Sequence, residues 1–170
     1  MENQEHIGIE SPLASSASTR ISLEAIRNKE AGLNEHRSKL LSRVSDQECW
    51  GTFPVNSIEI KDLAYLSAAT GDEFALLRSK HSDILYHGTP YRCKIEEDDD
   101  LMTLLNSHKA ELVAHTHPDY ETIIPSAADR NFIRSYGQKK SKIISAYTGQ
   151  IIEFTSDMFQ ICLKCRGCKK

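Results

Sequence analysis

Residues 110–137 read AELVAHTHPDYETIIPSAADRNFIRSYG, and this run restricts the fold more than any other part of the chain. Its first eight residues suit a β-strand, bounded by Pro118. A loop, DYETIIP, leads to Ser126. SAADRNFIRSYG then reads as a helix, with Ser126 as N-cap, Asp129 three residues on, and Gly137 as terminator. A strand followed directly by a capped helix calls for a sheet with helices laid on it.

The flanks extend the same pattern. GDEFALLRS and SDILYHGTPYRC predict two short strands, Glu73 to Arg78 and Asp83 to His87, joined by a hairpin-like turn over Ser79 to Ser82. IEEDDDLMTLLNSHK predicts a helix whose entrance carries Asp98, Asp99 and Asp100, favoured by the positive end of the helix dipole. Leu101, Leu104 and Leu105 would face inward. KKSKIISAYTGQIIEF predicts two closing strands around Thr148 and Gly149. SIEIKDLAYLS suits strand and helix equally. The order strand, strand, helix, strand, helix, strand, strand predicts an α/β or α+β domain with a mixed sheet.

Residues 1–20 are poor in large apolar side chains and read as a disordered leader. Residues 21–48 read as a helical N-terminal segment interrupted by Gly32, either packed on the main domain or acting as a linker. The compact domain is expected over 49–156, and 157–170 forms a Cys/Lys-rich tail. Charge narrows the function classes. The net charge is −3 and the pI about 6.2, which points away from an electrostatic nucleic-acid binder. No apolar run approaches the roughly 20 residues of a membrane helix, and the N-terminus lacks the basic start and apolar core of a secretory signal. A cytoplasmic protein, or an effector delivered without a signal of its own, is expected.

The chemistry concentrates in His115-Thr-His117 and Ser126-x-x-Asp129. Strand residues two apart project from one face, so both imidazoles can lean onto one ion while Thr116 turns away. Asp129, in the first turn of the following helix, can be returned to the strand end by the loop. Two histidines and a carboxylate make a three-ligand zinc site whose fourth position stays open, the pattern of a catalytic site. Taken singly, exposed strand histidines and a capping box are ordinary. Their coincidence within one short window favours a metal.

HTHP followed by SxxD resembles the JAMM motif of JAB/MPN-type zinc metallopeptidases. The form HTHP…PSAAD, followed by GQKKSKIISA and a short final hairpin, looks most like bacterial JAB-like domains, including those at the ends of polymorphic toxins. The resemblance covers about Gly71 to Phe154. Eight residues separate His117 from Ser126, one more than the family pattern has.

The resemblance implies a deaminase-like mixed sheet and one Zn²⁺ ion on His115, His117 and Asp129. It implies Ser126 as oxyanion stabiliser and an upstream glutamate that takes a proton from the zinc-held water. Glu73, heading the first of the two short strands, is the expected base. Glu111 shares the histidine face by parity but lies four residues from His115, roughly 13 Å along a strand. Glu96 and Glu97 belong to an acidic loop, and Glu59 lies further upstream. The implied function is hydrolysis of a peptide or isopeptide bond in a peptide or protein substrate, ubiquitin-like chains included. A non-catalytic binding domain of the same fold, or a toxin-type effector with an immunity partner, are the alternatives.

Five cysteines include Cys162, Cys165 and Cys168 in CLKCRGC. This spacing suits zinc or a redox pair, with Cys93, Cys49 or a histidine as a fourth ligand. An interaction tail or adventitious thiols are the plainer reading. A zinc nucleobase deaminase would need His-x-Glu and Pro-Cys-x-x-Cys, and neither stands here.

Overall fold

A computed structural model describes residues 21–118 and 123–157. The predicted leader, the cysteine tail beyond Asp157 and residues 119–122 of the loop lie outside the described residues.

The elements follow in the order α1 (Leu23–Arg27), α2 (Glu35–Arg43), β1 (Cys49–Pro54), α3 (Ile60–Thr70), β2 (Phe74–Ser79), β3 (Ser82–His87), a 3-10 turn (Ile95–Glu97), α4 (Asp99–Asn106), β4 (Ala110–His117), α5 (Ala127–Ser135), β5 (Lys140–Ser145) and β6 (Ile151–Thr155). Six strands form one mixed sheet in the order β1-β3-β2-β4-β5-β6. All neighbours run antiparallel except β4 and β5, which are parallel and joined through α5. The expected mixed α/β architecture stands, with β1 and α3 added upstream.

SIEIKDLAYLS resolves as helix. Glu59 and Asp62 close a capping box at the start of α3, and Gly71 ends it at φ 81°, where a side chain would be strained. Leu63, Ala64, Leu66 and Ser67 recur at helical spacing and are buried.

The predicted helical segment 21–48 is two short helices rather than one. Lys29, at φ 59°, breaks the chain between them. Both helices lie on α3. Leu40 and Val44 enter the same buried cluster as Leu63, Leu66, Phe74, Leu76 and Leu85. Arg37 binds Asp62 at 2.9 Å and stacks 3.7 Å above the Tyr65 ring. Tertiary contact therefore holds helices too short to persist alone.

The opposite face of the sheet is covered by α4, α5 and the 3-10 turn. Ile95, Leu101, Leu105, Ile133 and Tyr136 pack there on Ala75, Leu77, Ile84, Leu112, Ile143 and Phe154. Leu101 and Leu105 are buried as expected, whereas Leu104 is only half buried. α4 ends at Asn106, so His108, at φ 57°, and Lys109 follow it rather than forming its last turn.

One irregularity changes the strand parity. Leu76 pairs with Ala114 but Leu77 pairs with Leu112, so Val113 is an extra residue bulged out of β4. The bulge reverses which face Glu111 shares with the histidines. Glu111 pairs with Arg78 on the α3 side, while His115 faces α5 and β6. The expectation that Glu111 and the histidines share a face is therefore wrong.

Candidate metal centre

β4 ends on His115-Thr116-His117, and α5 begins a loop later, beside the carboxyl end of the parallel β4–β5 pair. Convergent groups collect at such strand ends because the returning helix points its N–H groups there. The Nε2 atoms of His115 and His117 lie 3.2 Å apart. Asp129 Oδ1 lies 3.0 Å from His115 Nε2, and Asp129 Oδ2 lies 3.5 Å from His117 Nε2. A tetrahedral zinc with ligands at 2.0–2.1 Å requires neighbouring ligand atoms about 3.3 Å apart. The triangle matches one face of that tetrahedron, so the donor set and its spacing fit the ion the sequence implies. Among the described residues, these three form the one cluster of metal-ligating side chains.

His115 and Asp129 are also held from outside the triangle. The His115 ring stands edge-on to Phe154 at 6.2 Å and is buried. Among the described residues its Nδ1 is buried with no hydrogen-bond partner, and its polar contacts run through Nε2. Asp129 is the N3 residue of α5. Its Oδ2 accepts the Ser126 N–H at 2.7 Å, and its own N–H donates to Ser126 Oγ at 3.1 Å. Burial pushes the Asp129 carboxyl up, but hydrogen bonds from His115 and His117, the His115 charge and the Ser126 N–H outweigh it. The group is held far below the usual carboxylate range. An ionised, correctly turned carboxylate is the form a cation needs.

Glu73 comes to the same place by strand register. Ala75 pairs with His115 on antiparallel neighbours. Glu73 directly precedes β2, one residue outside the strand the sequence predicted it would head, and by alternation with Ala75 it lies on the histidine side. It borders one cleft of about 540 Å³ together with His115, His117, Ser126 and Asp129. The other glutamates differ. Glu111 borders a separate groove beside Lys109 and Lys140, at the far end of β4. Glu59 caps α3 and binds Lys61 at 2.7 Å. Glu97 pairs with Arg92 at 3.2 Å. Glu96 reaches the cleft from the 3-10 turn.

Ser126 combines capping with exposure to the cleft. In the cap its Oγ accepts a hydrogen bond, which leaves the hydroxyl proton available to donate. The two roles are therefore compatible in one side chain.

Cys93 also borders the cleft, in the loop after β3. Burial pushes its thiol well up, and the nearby Glu73, Glu96 and Asp129 carboxylates push it further. It is a neutral wall group here and does not join the ligand triangle. Cys49 lies on β1, so whether either thiol meets the cysteine tail lies outside the described residues. Cys93, Phe132 and Tyr136 were not anticipated as cleft residues, since loop contacts and helix docking carry no local sequence signal.

No family model, no curated protein and no solved structure matches this chain. No described helix is long and apolar enough to cross a membrane.

Proposed function

We propose that the chain is a zinc-dependent hydrolase of peptide or isopeptide bonds with a JAMM-type site on a JAB/MPN-like domain. One observation carries this reading. Three potential ligands stand 3.0–3.5 Å apart while a glutamate and a serine hydroxyl border the same cleft.

His115, His117 and Asp129 would hold the ion. A zinc ion there supplies Lewis acidity and brings the pKa of its water close to 7. Glu73 accepts the proton of the attacking water and delivers it to the departing amine nitrogen. Ser126 donates its hydroxyl proton as a hydrogen bond to the carbonyl oxygen as negative charge develops. Asp129 keeps its ionised form through the cap and the two imidazoles, so the ligand set needs no rearrangement. The substrate is a peptide or protein, with ubiquitin-like isopeptides as the first class to try. In this reading the chain works in the cytoplasm or as a delivered effector, with an immunity-type partner in the latter case.

The test is metal analysis with a cleavage assay on the purified protein. About one zinc per chain, lost in His115→Ala, with chelator-sensitive cleavage of a ubiquitin–lysine isopeptide or a peptide amide, supports the reading. A stable protein that takes up no zinc overturns it in favour of a non-catalytic binding domain. Zinc that survives His115→Ala places the metal in the cysteine tail.

A further inference from the structure

The residue between the two histidines is not a spacer. Thr116 is fully buried, and its side chain turns away from the metal-facing side. Its Oγ1 accepts the backbone N–H of Phe74 at 2.8 Å, a buried bond spanning 42 positions in sequence. The backbone pairing of β2 with β4 ends at Ala75 and His115. At the next step a side-chain hydroxyl takes the place of a backbone carbonyl.

Phe74 directly follows Glu73, whose own backbone is fixed on the other side. The Glu73 N–H donates to Thr89 O at 2.9 Å, and its carbonyl accepts the Gly88 N–H at 2.8 Å. Asp72, one residue earlier, is held by His87 Nε2 at 2.8 Å and Gln47 Nε2 at 2.9 Å. The loop after β3 and the β1 side therefore grip the turn from one direction, and Thr116 grips it from the strand that carries the ligands.

We infer that Thr116 is a positioning residue, whose hydroxyl ties the glutamate-bearing end of β2 to the metal-ligand strand and fixes Glu73 relative to His115 and His117. This rests on the proposed zinc-hydrolase reading. The physical need is plain: a base misplaced by about 1 Å can cost on the order of 100-fold in rate. Backbone pairing with β4 stops at Ala75, so Phe74 and Glu73 are tied to β3 but, without Thr116, not to the strand that carries His115 and His117. Thr116 supplies an oxygen where the β2–β4 ladder has run out.

The experiment compares Thr116→Val, which keeps the shape and removes the acceptor, with Thr116→Ser, which keeps the acceptor. Zinc alone is the probe. The protein is labelled with carboxyl-¹³C glutamate, and the Glu73 signal is assigned by its loss in Glu73→Gln. In wild type and Thr116→Ser, zinc should move the Glu73 carboxyl signal. In Thr116→Val, zinc affinity should be unchanged while that movement is largely lost. The Phe74 amide of the metal-free Val variant should exchange at least about tenfold faster. Its kcat on an amide substrate should drop about 10- to 100-fold with KM unchanged, and serine should restore it.

A Val variant that keeps the zinc-induced shift and full kcat overturns the inference. So does a Ser variant as impaired as the Val one. If wild type binds zinc and shows the hydroxyl-dependent shift but cleaves no amide, the hydrolase reading fails and the positioning role stands. If wild type binds no zinc, both fall.

Discussion

The Nε2 atoms of His115 and His117 face each other at 3.2 Å, a gap that one proton can bridge and two cannot. Asp129 stands within 3.0–3.5 Å of both. Without a cation, two rings and a carboxylate must share few protons in a half-buried space. A divalent ion bound there would replace those protons and use all three lone pairs at once.

Zinc should therefore stabilise the fold. At a free concentration about 100 times Kd, linkage adds about 2.7 kcal/mol, or roughly 5–10 °C in Tm for a chain this size. Thermal melts with and without zinc check this. His115→Ala and Asp129→Asn should melt at the same temperature in both conditions.

Glu73→Gln keeps the shape of the side chain and removes its ability to take a proton. It should retain zinc and Tm but lose about 10²–10⁴ in kcat. Glu111→Gln, on the other face of the bulged strand, should leave kcat intact. Parallel rate and metal measurements on both variants decide which glutamate is the base.

The two roles of Ser126 can be separated. Ser126→Ala removes the cap and the hydroxyl donor, and should cost about 1 kcal/mol of stability. Ser126→Gly caps nearly as well as serine, so it should lose only a few tenths of a kcal/mol. Both should lose about 10²–10³ in kcat if the hydroxyl stabilises the carbonyl oxygen. Urea unfolding set beside kinetics reads the two effects independently.

Asp83 provides a pH test remote from the metal. It is buried, binds Arg78 at 2.6 and 3.0 Å, and accepts the Ile58 N–H at 3.0 Å. Burial pushes its carboxyl up, but the bonds from Arg78 and the Ile58 and Asn56 N–H groups hold it below the ordinary value. A carboxyl lowered in the folded state contributes stability that is fully present above its unfolded pKa of about 3.9. That contribution is lost as pH falls through the folded value. Asp83→Asn should cost roughly 1–3 kcal/mol at pH 7, because Arg78 and the Ile58 N–H lose a charged acceptor. The gap to wild type should narrow steadily below pH ~4 in urea titrations.

Much of the site could be read locally. Adjacent alternation puts His115 and His117 on one face whatever the rest of the chain does, because the strand period is two. The Ser126–Asp129 cap follows from the orphaned N–H groups of a helix start, and it forms as read. These are short-range interactions, so the residues that specify them are neighbours in sequence. The bulge at Val113 could not be read in this way. It depends on how β2 and β4 pair, and it moved Glu111 off the histidine face.

The order β3-β2-β4 likewise belongs to the tertiary structure, and that order brings Glu73 to the cleft that His115 and His117 border. So does the packing of α1 and α2 on α3, which turned an ambiguous helical segment into part of the core. The reason is range. Caps and periodicity are settled over a few residues by backbone geometry, whereas strand neighbours and docked helices are chosen by the burial of apolar faces far apart in sequence. The sequence by itself thus determined the candidate ligands and the mount of Asp129. The fold decided that Glu73 borders their cleft and gave Thr116 a hydrogen bond to Phe74 that no local pattern shows.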